Sequence, residues 1–220
     1  MQFLYSKDAG SATLTLTGEE HKYLFKVRRF EVGKELSFRN MKDDTRYEYR
    51  IEDISKKEAT LIMIESYHDT NKPSKTLHLL WCIIDTKVIE KTLPMLNQLG
   101  LSKISFLYCD RSQKNFKPDL KRLEKILINS SQQCGRSDLM VLEVLPSLAE
   151  AMEKYGDFSV MDFGGDTEVA GVEAIMIGCE GGFSQDERQK LEKRQKIGIN
   201  SPYILKSETA ALTFASKCLI

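Results

Sequence analysis

Three short stretches in the last third of the chain carry residue types suited to holding a ligand: "DFGG" at 162–165, "GCEGGF" at 178–183 and "KSETA" at 206–210. Glycines at 178, 181 and 182 can adopt positive φ or let a ligand approach the bare backbone. Glu180 sits among them and would repel a phosphate. No GK[ST] ending of a phosphate-binding loop and no G-x-G-x-x-G fingerprint is present, so NTPase and dinucleotide chemistry are disfavoured. A second set is cationic. "RSQKNFKPDLKR" at 111–122 interleaves bases with Phe116, "QQCGR" ends in Arg136, and "HKYLFKVRR" clusters Lys26, Arg28 and Arg29. Such charge density suits phosphate binding, and an aromatic ring can stack a base. The alternative for each is a solvated helix face.

The elements needed to position these residues change character along the chain. Up to residue 67, "QFLY", "SATLTLT", "KELSFRN", "RYEYRIEDI" and "EATLIMIES" alternate apolar and polar residues as half-buried strands do. Only "GEEHKYLFKVRRF" has helical spacing, through Tyr23, Leu24 and Val27. The polar "HDTNKPSK" at 68–75 reads as a linker. Beyond it strands and helices alternate, which predicts a parallel, helix-covered sheet. "LHLLWCII", "KISFLY", "LMVLEVL", "FSVMDFGG", "AIMI" and "YILK" are the expected strands. "EKTLPMLNQLG" is expected to be a helix with Pro94 in its first turn and Gly100 as its stop. "PDLKRLEKILINSSQQCG" is capped by Asp119, and capping boxes are expected at Ser147/Glu150 and Ser184/Glu187. The stretches at 162–165, 178–183 and 206–210 read as loops, each just past a strand's C-terminal end, so in a parallel sheet all three would crowd one edge and could wall one pocket. Two domains follow, 1–70 and 71–220.

Composition narrows the class. Lys plus Arg and Asp plus Glu both number 32, so net charge favours no partner. Its distribution is uneven: residues 85–136 carry 10 basic and 5 acidic side chains, residues 137–220 carry 8 and 14. This asymmetry suggests a basic face able to meet a polyanion. Five scattered cysteines with no C-x-x-C pair fit free thiols in a reducing cytoplasm. The histidines show no metal-ligand spacing with them, so no metal site is expected. No run approaches the roughly 18 apolar residues of a membrane span.

"IGCEGGFSQDE" followed about 20 residues later by "YILKSETAAL", together with "NQLGLSKI", "QQCGR" and "HKYLFKVRRFEVGKEL", resembles the bacterial 16S ribosomal RNA (uracil N3)-methyltransferase family of the SPOUT superfamily. The resemblance runs nearly end to end. It implies an α/β chain built of an N-terminal small PUA-like β-barrel that binds RNA and a C-terminal α/β trefoil-knot (SPOUT) domain with a parallel sheet. Periodicity alone could not suggest a knot. It further implies an S-adenosylmethionine cofactor, 16S ribosomal RNA or the small ribosomal subunit as partner, and a homodimer; the cytoplasmic placement rests on the cysteine pattern and the missing membrane span. The cofactor residues it implies are Phe163, Gly164, Gly165, Ile177, Gly178, Glu180, Gly181, Gly182, Ile204, Leu205, Lys206, Glu208, Thr209 and Ala210. RNA binding falls to Lys26, Arg28, Arg29, Arg111 and Lys114.

A sulfonium-bearing nucleoside without phosphate explains why a carboxylate is tolerable beside glycines, whether Glu180 meets the ligand or caps the next helix. The uracil N3–H must lose its proton before the nitrogen attacks, so a positive charge is needed against the developing anion. Arg136, Lys206 and Arg111 are the catalytic candidates. The chain departs from the family pattern at Cys179 (proline in "IGPEGG"), Lys206 (arginine), Met95 and Gln98 (lysine and glutamate of "KATELG"), and Asp85-Thr86-Lys87 (a "KGD"-like stretch). Those departures keep two further readings open: methylation of another RNA nucleoside or a ribose 2′-hydroxyl, and an inactive RNA-binding assembly factor.

Overall fold

A computed structural model of the chain describes residues 2–220. It divides into two compact units, Met1–Lys72 with Ser131–Leu139, and Pro73–Ser130 with Met140–Ile220. In the first, β1 (Leu4–Tyr5), β2 (Thr13–Thr17), β3 (Glu35–Arg39), β4 (Thr45–Ile54) and β5 (Glu58–His68) form a sheet in the order β1-β3-β4-β5-β2. β1 runs parallel to β3, and the other pairs are antiparallel. The period-two pattern does what it predicts: Leu14 and Leu16 are buried between exposed threonines, and join Phe38, Tyr49, Ile51 and Leu61 in one core. Tyr49 is fully buried, and its hydroxyl donates to Ser11 O at 2.6 Å and accepts from Gly10 N.

The helical stretch opens as α1 (Gly18–His21) and widens into a π-helix over Lys22–Val27, marked by the Arg28 N–H donating to Tyr23 O five residues back. The wider turn re-aims the side chains. Leu24 enters the core while Tyr23 and Val27 remain exposed.

The second unit holds a fully parallel sheet, β6 (His78–Cys82), β7 (Lys103–Leu107), β8 (Val141–Leu145), β9 (Ser159–Asp166), β10 (Ala174–Ile177) and β11 (Lys196–Ile197), ordered β11-β9-β10-β6-β7-β8. Central β6 is buried from Leu79 through Cys82, as its unbroken apolar run requires. Its helices are α2 (Thr86–Leu99), α3 (Leu120–Cys134, whose last residues from Ser131 group with the first unit), α4 (Leu148–Lys154), α5 (Gln185–Lys190) and α6 (Ser207–Leu219), with α2 packed on α6.

Several expectations need correction. α2 begins at Thr86, because the Asp85 carboxylate accepts the Lys87 N–H at 2.8 Å and caps it. Pro94 therefore lies inside the helix rather than in its first turn. Gly100 ends the helix at φ 91° as expected. Ser147 accepts the Glu150 N–H, but among the described residues the reciprocal bond is absent, so only the serine's half of that box forms. "YILK" is irregular and not a strand, and Tyr203 and Ile204 are exposed. The short strand β11 takes the sheet edge instead. Cys82 and Cys109 are joined in a disulfide, so the expectation of five thiols fails for these two, and Cys134, Cys179 and Cys218 lie outside it. Parallel pairing of β6 with β7 brings these two half-cystines together across 27 residues of sequence, which spacing alone could not show.

The sheet also carries a polar row. His78 Nε2 lies 2.6 Å from Ser105 Oγ, and Ser105, Tyr155, Lys103 and Lys154 all bond to the Glu143 carboxylate. Burial, then the charge of Lys103, pushes the His78 imidazole down to about 4 from 6.5. Burial raises Glu143, but its bonds from Lys154, Ser105, Tyr155 and Lys103 outweigh this and bring it to about 2 from 4.5. Both depressed values act in one direction. The unfolded chain binds a proton at His78 below pH 6.5 and the folded one only near 4, so stability falls as pH drops through that window; Glu143 adds a further loss from 4.5 towards 2. Melting temperature is expected to fall on acidification from pH 7 to 5, and His78→Gln should remove roughly 2–4 °C of that fall, the effect of about 1 kcal/mol in a domain of this size. Parallel curves for the two proteins would contradict the assignment.

Candidate ligand site on the edge of the parallel sheet

β10 ends at Ile177, and the chain turns before α5 starts at Gln185. The turn is closed by the Gly182 N–H donating to Cys179 O at 2.9 Å, with Gly182 at φ 65°. A Cβ on Gly178 would stand 3.3 Å from Gly182 Cα, so the loop is folded tightly on its own backbone. α5 is started by the full capping box: Ser184 Oγ accepts the Glu187 N–H and Glu187 Oε2 accepts the Ser184 N–H at 2.9 Å. Glu187 therefore caps the helix. Glu180 stands exposed on the turn and makes no side-chain hydrogen bond or ion pair among the described residues.

Bonds from α6 and from the corner after β7 hold this loop, and further bonds tie in β6 and β9. Buried Ser207, the first residue of α6, donates to Gly178 O at 2.6 Å and accepts the Trp81 indole N–H at 2.8 Å, so β6, the glycine loop and α6 meet at one hydroxyl. After β7, the Asp110 N–H donates to buried Glu187 Oε1 at 2.9 Å, and its carboxylate accepts from Ser184 Oγ. Arg111 donates to Gly181 O at 2.5 Å and lies across that glycine, where a Cβ would stand 3.2 Å from Arg111 Cδ. From α5, Arg188 pairs with Asp162 on β9. Burial raises the Asp162 carboxyl, but the Arg188 guanidinium and the Phe163 N–H hold it below its usual range.

"DFGG" is not a loop: Phe163, Gly164 and Gly165 continue β9 to Asp166, which pairs with Ile197 of β11. Gly165 and Gly198 explain the continuation, because a Cβ on Gly165 would lie 2.7 Å from Gly198 N and no side chain could fit between the two backbones. Phe163 is 72 % exposed.

The structure thus joins residues 178–184, the Asp110–Arg111 corner and the start of α6 into one bonded set. Ile177 and Ala210 are buried within it, while Glu180, Ile204, Lys206 and Thr209 are exposed and Leu205 and Glu208 half-buried. Lys206, the residue before α6, makes no hydrogen bond or ion pair through its ammonium among the described residues. Exposed Lys114 follows the same corner. Arg136 lies in Ser131–Leu139, which groups with the first unit; it is 5 % exposed and forms a two-pronged pair with Asp138 at 3.0 and 2.9 Å. Lys26, Arg28 and Arg29 are exposed in the first unit, with the Arg28 guanidinium 5.4 Å over the Tyr23 ring. Ser207, Asp110, Glu187 and Trp81 were not among the expected site residues. Only the capping box gave Glu187 a sequence signal.

The features of the set are compatible with S-adenosylmethionine. The tight glycine turn allows backbone approach, Phe163 and Ile204 offer exposed apolar surface for a purine ring, and the exposed charges beside the glycines include the carboxylate of Glu180, compatible with a sulfonium and an ammonium. Among the described residues no group of three or more His, Cys, Asp or Glu could hold a metal ion, and no helix is long and apolar enough to cross a membrane.

A family model described as an RNA methyltransferase domain matches residues 70–218, and one described as an RNA methyltransferase PUA domain matches residues 16–64. The chain is 42 % identical over 222 residues, covering 98 % of both chains, to the ribosomal RNA small subunit methyltransferase E of Helicobacter pylori (strain ATCC 700392 / 26695). Its fold is that of the ribosomal RNA small subunit methyltransferase E of Neisseria gonorrhoeae, solved bound to S-adenosyl methionine (TM-score 0.82, 21 % identity, 99 % of this chain and 96 % of that one). It is equally that of protein Lpg2936 of Legionella pneumophila, solved with bound SAM (TM-score 0.84, 22 % identity, 99 % and 96 %).

Proposed function

Since the chain belongs to the RNA methyltransferase family that includes ribosomal RNA small subunit methyltransferase E, we propose that it transfers a methyl group from S-adenosylmethionine to N3 of a uridine in 16S ribosomal RNA. The observation that carries this reading is the glycine turn after β10, bonded through Ser207 to the start of α6 and through Arg111 to the corner after β7. Bound S-adenosylmethionine supplies an electrophilic methyl on a positively charged sulfur. Ile177, Gly178, Glu180, Gly181, Gly182, Ile204, Leu205, Lys206, Glu208, Thr209 and Ala210 would hold it, with Phe163, Gly164 and Gly165 of β9.

The chain's own contribution is positional and electrostatic. Lys206 carries a cation with no partner among the described residues, and it is the group we assign to stabilise the uracil anion. Arg111 is already engaged at Gly181 O and acts by fixing the turn. Arg136, buried against Asp138, is a candidate only if that pair opens on RNA. The test of the reaction is mass spectrometry of nucleosides from 16S ribosomal RNA of cells with and without this chain. Absence of any change in 3-methyluridine would refute it.

The small unit is assigned to RNA affinity. Replacing Lys26, Arg28 and Arg29 together with Ala is expected to weaken RNA binding and flatten its logarithmic salt dependence by up to roughly 2 units, about 0.7 for each single-strand phosphate no longer neutralised. Cofactor affinity should not change. An unaltered salt slope would place the RNA surface elsewhere.

We also assign a homodimer, acting in the cytoplasm. α6 buries Ala210, Ala211, Phe214 and Ala215 but leaves Leu212, Cys218 and Leu219 half-buried and Ile220 exposed, apolar surface beyond what its own unit covers. Sedimentation at micromolar concentration should give about twice the 25.1 kDa chain mass. A monomer there would exclude the assignment.

A further inference from the structure

The first unit contains a polar cavity of about 340 Å³ that none of the basic residues discussed above accounts for. Its floor is Phe3 and Arg39, which are 3 % and 2 % exposed, with the guanidinium 5.4 Å over the phenyl ring. Arg39 donates to Asp69 Oδ2 at 2.5 Å and to Asp69 O at 2.7 Å, yet its buried Nε–H has no acceptor among the described residues. Native proteins seldom leave a buried donor unused. A second arginine on the wall, Arg46, is spent on Glu48, on Gln2 O at 3.0 Å and, at 3.5 Å, on the same Asp69 oxygen.

Two guanidiniums are thus balanced by two carboxylates, and a bare phosphate would find no spare positive charge. Unengaged groups remain: the Arg39 Nε–H, the second oxygen of Asp69, and the exposed amide and hydroxyl of Gln2 and Thr70 at the rim. A donor array beside a carboxylate acceptor complements a flat heterocycle carrying an N–H next to a ring carbonyl. Uracil and guanine have that edge, and cytosine does not. The volume lies within the range of small-ligand pockets, and guanidinium planes stack on bases in single-stranded RNA recognition.

We propose that this pocket of the small unit holds one unstacked uracil or guanine base of the RNA. The proposal rests on RNA being the partner, and assigns its reading to a cavity remote in sequence from the methyl-transfer loops.

The experiment is an amide NMR titration of the full chain with uridine, guanosine and cytidine 5′-monophosphates and with inorganic phosphate at matched ionic strength. Uridine and guanosine monophosphates should shift the amides of Phe3, Arg39, Asp69 and Thr70 at concentrations at least about tenfold below those that cytidine monophosphate or phosphate need. Because Asp69→Asn would strip buried Arg39 of its partner and endanger the fold, the variant to use is Gln2→Leu with Thr70→Val, both exposed. It should weaken the uridine monophosphate response, read at Arg39, at least about fivefold, while the spectrum of the free protein changes only at the two substituted positions and their neighbours. No shift at those amides, equal shifts with phosphate, equal shifts with cytidine monophosphate, or an unaffected double variant would each overturn the proposal. S-adenosylhomocysteine titrated into the same sample reports separately on the cofactor loops, so that uridine monophosphate binding without cofactor binding would sustain the pocket and count against the proposed reaction.

Discussion

Lys206→Ala is expected to lower the single-turnover rate of methyl transfer about 100- to 1,000-fold, the range found when one preorganised charge or donor is removed from a developing anion. The cation stands exposed at the start of α6 with no partner among the described residues to neutralise it, and its neighbour Ser207 locks the local backbone to Gly178 O and Trp81. Lys206→Arg should restore most of the rate, because charge rather than a rigid fork is what this position supplies. Arg111→Ala should instead raise the cofactor dissociation constant with a smaller effect on rate, since its guanidinium is committed to Gly181 O. If Lys206→Ala turns over within about threefold of the wild type, another group carries the charge and Arg136 becomes the leading candidate.

What the sequence made legible divides along physical lines. Strands of the first unit could be read because each buries one face, and alternate residues such as Leu14 and Leu16 announce it. The Ser184–Glu187 box could be read because capping is local chemistry at fixed spacing. The glycine turn was recognisable for the same reason, its turn closing within four residues. Long-range juxtapositions left no such trace. Ser207 meets Gly178 and Trp81 across 29 and 126 residues, and Glu187 meets Asp110 across 77. His78 and Glu143 share a polar row only because β6, β7 and β8 are adjacent in a particular register. "DFGG" and "YILK" depart from expectation for a subtler reason. Local composition suggested a loop and a strand, while the sheet edge was decided by Gly165 and Gly198, whose lack of side chains admits a close backbone approach and extends β9 towards β11.

Gly182→Val offers the sharpest separation of cofactor binding from folding. Gly182 sits at φ 65° in the turn closed onto Cys179 O, and a β-branched residue there carries strain on the order of 1–2 kcal/mol. Space is not the obstacle, since a Cβ would find only Arg188 Nη2, at 3.9 Å, within reach. The turn must therefore either tolerate the strain or reopen, and reopening displaces the neighbouring amides on which a ligand would rest. Cofactor affinity, measured calorimetrically with S-adenosylhomocysteine, is expected to fall at least about tenfold, the equivalent of roughly 1.4 kcal/mol. Gly33→Val supplies the control: Gly33 has φ 86° in the first unit with open space around its Cα, so the substitution brings comparable strain far from the loop in sequence. It should lower melting temperature and leave cofactor affinity unchanged. Gly181→Ala falls between them, because its Cβ would press on the flexible Arg111 side chain, which can yield at the expense of the bond to Gly181 O. Equal affinity losses in Gly33→Val and Gly182→Val would show that strain acts through global stability, and wild-type affinity in Gly182→Val would remove the glycine turn from the cofactor site altogether.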